Sequence, residues 1–382
     1  MNVVIAGCGV IGRAHATALQ EFDDVSIVGL VDPVAAAAES MAAAIEDAGL
    51  ARPRTFTSFE DAFEAGEVDL VALATPSGLH VEQGLDVLGA GKHLVIEKPL
   101  DVDLARAREF EAAVREAGGR GQVASVISQH RFDPASVAVA RAVKEKRFGL
   151  LTSAIASVAW WRSQEYYDSA AWRGTWSMDG GGALMNQGVH AVDLLLWFMG
   201  RPVEICARTA RLAHERIEVE DTAVATIAFE DGGLALLHAT TAAYPGMSVR
   251  LQLMGSAGSA VLDNDRLEYF YAKDKAPAPS ETQAACELAK SPVEDMSGKD
   301  HAVFPAGHVR QYADILAAVR DGRQPGVTVK QAVDALAAVR AVYISATLNH
   351  PVLFDDVLAG KYDAVDVRNV TNGVVRTASH GS

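Results

Sequence analysis

Residues 180–195 read GGGALMNQGVHAVDLL, where an amide, an imidazole and a carboxylate interrupt an otherwise apolar run. Asn186 and His190 are four apart and Asp193 lies three further on, so a helix would carry all three on one stripe. A solvated helix face would explain the stripe, yet such faces carry Lys, Glu or Arg, and none occurs in the segment before residue 201. The competing reading is a buried helix whose stripe lines a cavity, where the imidazole titrates near neutral pH and the amide orients a hydroxyl. A second stretch, GCGVIG at 7–12, fits G-x-G-x-x-G. It follows an apolar run, opens a helix-like segment and precedes, by about twenty residues, an acid at a strand end, Asp32. In that setting Gly7 makes the tight turn, Gly9 admits a pyrophosphate to the backbone and Gly12 lets helix and sheet touch. The amides of Val10 and Ile11 then point at the phosphates. Asp32 would accept from a ribose 2′-hydroxyl and repel a 2′-phosphate, and no Arg or Lys follows it at once. NAD is therefore expected over NADP.

The length of 382 residues exceeds one ordinary core, so two domains are the natural expectation. Up to about residue 130, the strand-like runs NVVIAG, VSIVGLVD, VDLVALAT, HLVIEKP and VASVISQH alternate with helical segments such as AAAAESMAAAIEDAG and DLARAREFEAAVREAG. Near-continuous apolar strands between helices predict a parallel, doubly wound Rossmann sheet covered on both faces. After residue 150 the pattern becomes long strands with tight turns at EDGG and GSAGS, which predicts a largely antiparallel sheet with flanking helices. Two helices near 305–321 and 328–348 close the chain. The expected division is 1–128 for dinucleotide binding, 129–355 for substrate binding and oligomerisation, and 356–382 as a tail. The polar, Pro/Ser/Ala-rich stretch at 273–300 reads as a long loop or lid.

A net charge of −15 argues against a nucleic-acid or anionic-membrane surface, so ligand phosphates need local capture by backbone amides. Cys8, Cys206 and Cys286 are too few and scattered for a disulfide framework or a zinc site, no metal is expected, and a reducing cytoplasm fits. No run approaches a transmembrane length, and the apolar N-terminus reads as a strand and not as a signal peptide.

Two further motifs, ATPSGLH at 74–80 and EKP at 97–99, complete a set with the glycine fingerprint and GGGALMNQGVHAVD. In this order the four motifs resemble the Gfo/Idh/MocA family, the glucose–fructose oxidoreductase and inositol dehydrogenase group, over essentially the whole chain. The resemblance implies nicotinamide-dependent oxidation or reduction of a sugar or cyclitol carbon, and an open-faced C-terminal sheet whose outer face pairs subunits into homodimers or homotetramers. It implies a cofactor site that includes Thr75, Pro76, His80, Glu97 and Lys98, with a cis bond before Pro99. Within the family the stretches at 131–149, 160–176 and 180–190 look most like nucleotide-sugar and glycoside 3-dehydrogenases, although the acidic balance gives no support for a uridine diphosphate group.

On this reading Lys98 lies at the carboxyl edge of the sheet and donates to the reacting oxygen. His190 is the general acid or base. Many relatives carry Asp where this chain has Asn186; an amide takes no proton, so Asn186 is left to orient a hydroxyl. Asp193 is either a partner of the imidazole or a helix-packing acid. The segment WWRSQEYYDSAAWRGTW offers Arg162, Tyr166, Tyr167, Trp172, Arg173 and Trp176 to sugar faces and hydroxyl rims, with about half expected to pack the sheet instead. Arg131 and His308 are candidates of the same kind. The function expected is hydride transfer between NAD and a secondary alcohol, with C3 of a hexopyranose favoured. An NAD-dependent glycosidase working by transient C3 oxidation, and a non-catalytic NAD or sugar sensor, are the alternatives.

Overall fold

Runs of Val, Ile, Leu and Ala too short for helices form the strands that the alternation predicts. The computed structural model describes residues 1–272 and 306–368, and the chain divides into two compact units. The expected loop at 273–300, Cys286 and the end of the tail lie outside the described residues.

Unit 1 comprises Met1–Pro134 and Asp295–Leu336. It runs β1 (Asn2–Ala6), α1 (Val10–Leu19), β2 (Ser26–Val31), α2 (Ala35–Asp47), β3 (Arg54–Phe56), α3 (Phe59–Glu64), β4 (Leu70–Leu73), α4 (His80–Gly89), β5 (His93–Ile96), α5 (Leu104–Gly119) and β6 (Ala124–Val126). The strands pair in the order β3-β2-β1-β4-β5-β6, every pair parallel, so the chain reverses direction across the sheet beside β1. Ligands bind outside the carboxyl ends of the strands at such a switch point. The predicted Rossmann sheet is present.

Unit 2 comprises Ala135–Glu294 and Ala337–Ser382. Its described elements begin with α6 (Pro134–Lys144), β7 (Leu151–Ala159) and α7 (Gln164–Asp168). A π-helical turn at Ala183–Gly188 leads into α8 (Val189–Met199). Then come β8 (Pro202–Ala210), β9 (Thr222–Phe229), β10 (Leu234–Thr240), β11 (Val249–Gly255), β12 (Gly258–Asp263) and β13 (Arg266–Ala272). Past α9 (Ala306–Asp321) of unit 1 and α10 (Val329–Leu348), whose first eight residues also belong to unit 1, β14 (Val352–Leu353) and α11 (Phe354–Leu358) are the last described elements. Eight strands pair as β13-β12-β11-β7-β10-β9-β8-β14, antiparallel except for the parallel pair β7–β10. In β9, Ala223, Ala225, Ile227 and Phe229 are buried, as the period of two requires of a strand with one covered face. The opposite face is open and apolar: Val224, Leu234 and Leu236 are 48%, 60% and 52% exposed.

α9 packs with unit 1, although the expected second segment, 129–355, included it. Tyr312 and Ile315 of α9 join a core with Val3, Ile5, Leu30, Leu70 and Val95 of the strands. Gln311 stitches α9 to β6, its amide donating to the Val126 carbonyl at 2.8 Å while its oxygen accepts from the Ser128 amide at 2.9 Å. An amphipathic stripe announces a buried helix face without saying which sheet it covers.

Candidate active site

The glycine turn joins β1 to α1. Gly7 has φ +91°, and a Cβ there would lie 2.5 Å from the Ala74 carbonyl oxygen. A Cβ on Gly12 would stand 1.9 Å from the Gly7 oxygen. Nothing lies within 4 Å of a Cβ built on Gly9, so the middle glycine faces open space at the start of α1, where Val10 is 81% exposed. Asp32 follows β2. Its carboxylate accepts from the amides of Cys8 and Val34, both at 2.9 Å, which fixes its direction and leaves acceptor positions for ribose hydroxyls. Burial beside Asp32 pushes the Cys8 thiol up to about 12. An open turn, a helix N-terminus and an oriented carboxylate fit a dinucleotide.

The ATPSGLH and EKP motifs leave adjacent strands, β4 and β5, and two side chains brace them. His80 is buried, with Nδ1 at 2.8 Å from the Pro99 oxygen and Nε2 at 2.8 Å from the Thr75 oxygen. Burial pulls the ring towards its neutral form, so one nitrogen donates to a loop carbonyl and the other only abuts the second. Arg106 grips the buried Asp101 with one nitrogen at 2.7 and 2.8 Å from its two oxygens and donates to the Gly78 carbonyl at 2.8 Å. Thr75 donates to Gln83 at 2.6 Å. The Lys98–Pro99 bond is cis, and Lys98 is half-buried.

Beneath Lys98 sits a buried network from three separated parts of unit 1: α1, the end of β5 and α9. Glu97 Oε1 lies 3.0 Å from His15 Nε2 and 3.2 Å from His308 Nε2, and its Oε2 accepts from the Lys98 amide at 3.0 Å. His15 Nδ1 is 2.6 Å from the Tyr312 hydroxyl. Burial opposes charge on Glu97, but the bonds from His15 and His308 hold its carboxyl well below the usual range. Burial pulls His15 down and pushes Tyr312 up. The consistent assignment is a carboxylate anion receiving N–H from both imidazoles, with Tyr312 donating to His15. His308, expected at the substrate, is thus buried on Glu97. Arg131 is also buried, in the 3₁₀ turn Gln129–Phe132 after β6.

In unit 2, of the three glycines before Asn186, Gly180 has φ +72° and the other two are there for close approach. A Cβ on Gly181 would stand 2.2 Å from the Tyr343 hydroxyl, and one on Gly182 would stand 1.7 Å from the Glu220 carbonyl oxygen. Buried Glu220 accepts from the amides of Gly182 and Leu184 at 2.8 and 2.9 Å and from the Tyr343 hydroxyl at 3.0 Å, which caps the π turn. Burial pushes its carboxyl up to about 7 against those three donors. The first turn is thus π where the stripe argument assumed an α-helix, and the three polar residues differ in burial: Asn186 and His190 are half-buried, Asp193 is buried. Asn186 Nδ2 donates at 3.0 Å to Asp179, whose other oxygen takes the Gly174 amide at 2.6 Å.

The aromatic segment divides into buried and half-buried members. Tyr167 is buried with its hydroxyl 2.8 Å from that of Thr241, and Trp176 is buried against Tyr343 with its indole donating to the Glu218 carbonyl at 3.1 Å. Arg162, Tyr166, Trp172 and Arg173 are half-buried and stacked on one another. Sequence reasoning missed His15, Tyr312, Asp101, Asp179, Glu220 and Tyr343, each a lone polar residue in an apolar or loop setting. Lys98, Glu97 and the cofactor candidates lie in unit 1, and Asn186, His190 and the stacked segment lie in unit 2.

Residues 1–125 match the family described as "Oxidoreductase family, NAD-binding Rossmann fold", and residues 136–261 match "GFO/IDH/MocA C-terminal domain". Inositol 2-dehydrogenase 2 of Saccharopolyspora erythraea is 30% identical over 69% of this chain and 73% of its own. The rhizopine catabolism protein MocA of Rhizobium meliloti is 27% identical over 88% of this chain and 92% of its own. Among solved structures, the WlbA dehydrogenase of Bordetella pertussis, in complex with NADH and UDP-GlcNAcA, is 30% identical with a TM-score of 0.79, covering 92% of this chain and 97% of that one.

Proposed function

The chain belongs to the GFO/IDH/MocA oxidoreductase family, and we propose that it oxidises a secondary alcohol of a sugar, glycoside, nucleotide sugar or cyclitol, with C3 of a hexopyranose as the favoured carbon. The observation that carries this reading is the anchoring of Lys98: a buried, ionised Glu97 holds its backbone amide just past β5, at the carboxyl edge of the Rossmann sheet. Lys98 donates to the reacting oxygen and stabilises the charge that develops there. His190 takes the hydroxyl proton and returns it in the reverse direction. Asn186, oriented by Asp179, receives a neighbouring hydroxyl. Bound NAD supplies hydride acceptance. The Gly7–Gly12 turn with the amides of Val10 and Ile11 holds its pyrophosphate, and Asp32 selects the unphosphorylated ribose. Tyr166, Trp172, Arg162 and Arg173 meet the substrate, while Tyr167, His308 and His80 support the framework. The exposed apolar row Val224, Leu234 and Leu236 supports pairing of two subunits through the open sheet face. A reducing cytoplasm remains the location favoured by the cysteine content.

A panel of hexoses, glycosides, inositols and nucleotide sugars followed at the nicotinamide absorbance tests the reading. Lys98→Ala should keep NAD affinity while turnover falls by about 10²-fold or more; wild-type turnover in that variant removes the catalytic role. Asp32→Ala should weaken NAD far more than NADP, and an unchanged ratio of the two affinities ends the ribose argument. Net NADH formation from a free sugar supports the dehydrogenase, whereas aglycone release without net NADH supports the glycosidase.

A further inference from the structure

Guanidinium groups in this acidic chain usually meet carboxylates. Arg52 meets Glu39 and Glu46, Arg106 meets Asp101, Arg216 meets Asp168, and Arg250 meets Asp263 and Glu268. Arg162 and Arg173 of unit 2 meet none among the described residues. Their partners are aromatic faces. The Arg162 Cζ stands 5.0 Å from the Trp160 ring and 4.8 Å from the Tyr166 ring. The Arg173 Cζ stands 4.4 Å from the same Tyr166 ring and 4.6 Å from Trp172, and its Nη1 donates to the Tyr166 hydroxyl at 2.8 Å. Nε of each arginine is buried and finds no acceptor among the described residues.

Carboxylates close by in sequence are engaged elsewhere. Asp168 is taken by Arg216 and Gln164, and Asp179 by the Gly174 amide and Asn186. Stacking holds a guanidinium by its face, fixes its plane and leaves its charge unneutralised. Two such cations on one tyrosine ring repel each other until an anion is shared between them. The planar fork of each matches a pair of oxygens on a carboxylate or phosphate.

Building on the dehydrogenase reading above, we propose that Arg162 and Arg173, sharing Tyr166, form an oxyanion subsite, and that the substrate is a sugar bearing a negative charge. The anion is the carboxylate of a uronic-type sugar or the phosphates of a nucleotide-activated one. Either way the arginines select against the neutral parent sugar.

Calorimetric titration of the full chain loaded with NADH tests this with glucose, glucuronate, UDP-glucose and UDP-glucuronate as probes. At least one anionic probe should bind tenfold or more tightly than glucose, with an affinity that falls as salt rises. Comparing glucuronate with UDP-glucose identifies which anion is read. Arg162→Gln and Arg173→Gln should each weaken that probe about tenfold while NADH affinity and the thermal midpoint hold, and Arg173→Lys should recover only part of the loss. Equal binding of charged and neutral sugars, or variants that bind the anion as the wild type does, overturns the subsite. Arginine-dependent binding of an anionic sugar that is never oxidised sinks the dehydrogenase reading and leaves the subsite standing. Oxidation of neutral sugars with no preference for charged ones does the reverse.

Discussion

Glu97 in unit 1 and Glu220 in unit 2 are both buried glutamates, and each accepts three hydrogen bonds, yet their carboxyls shift in opposite directions. Glu97 takes N–H groups from two imidazoles and one amide and stays well below the carboxylate range. Glu220 takes two amides and a phenol and rises to about 7. The count of bonds is the same; the partners differ. On Glu97 the side-chain N–H groups of two imidazoles outweigh the cost of burial, whereas on Glu220 two amides and a hydroxyl do not. The difference suits their places. One glutamate is a fixed anion under Lys98, the other a cap on the turn that carries Asn186.

The comparison is broken most directly at Glu97. Glu97→Ala leaves two buried imidazoles and the Lys98 amide without their acceptor and should cost about 3–5 kcal/mol in urea unfolding; a loss below about 1 kcal/mol would mean that the anion is not the centre of the network. The next effect is in pH. Because the folded-state pKa of Glu220 is raised, its contribution is present below about pH 4.5 and is lost as pH climbs through 7, by up to about 3 kcal/mol. Glu97, whose folded-state value is lowered, contributes above pH 4.5 and loses that contribution as pH falls. Urea unfolding at pH 5 and pH 8 should therefore show a decline across neutrality that belongs to Glu220. The smallest effect sharpens the point: Glu220→Gln should cost about 1 kcal/mol at pH 5 and flatten that decline. A decline that survives the substitution would assign the titration to another group.

Much of the unit 1 sheet was legible because its signals are local. The glycine spacing, the apolar runs and the acid at residue 32 each depend on neighbours in sequence, and they led to the observed strands, apart from the three-residue β3. The supports of the site were not legible. His15, Glu97, His308 and Tyr312 come together from positions up to 297 residues apart, and each alone reads as one polar residue on an apolar element. Gly181 and Gly182 make room for Tyr343 and Glu220, which lie in other parts of the chain. The assumption of an α-helical first turn failed for a related reason. A π turn is stabilised by what caps it, and the Glu220 cap lies 36 residues beyond Leu184. The choice of sheet for α9 was likewise settled by Tyr312 and Gln311, whose partners no periodicity names.

The His80 ring holds the carbonyls of Thr75 and Pro99 at equal distance. One buried imidazole therefore lies between two loops that leave neighbouring strands. A neutral ring has one N–H, so it bonds one of the two carbonyls and packs against the other. The segment around Thr75 and the lysine one residue before Pro99 thus share a single filler, and a residue too small to span that gap would leave both loops without a wall.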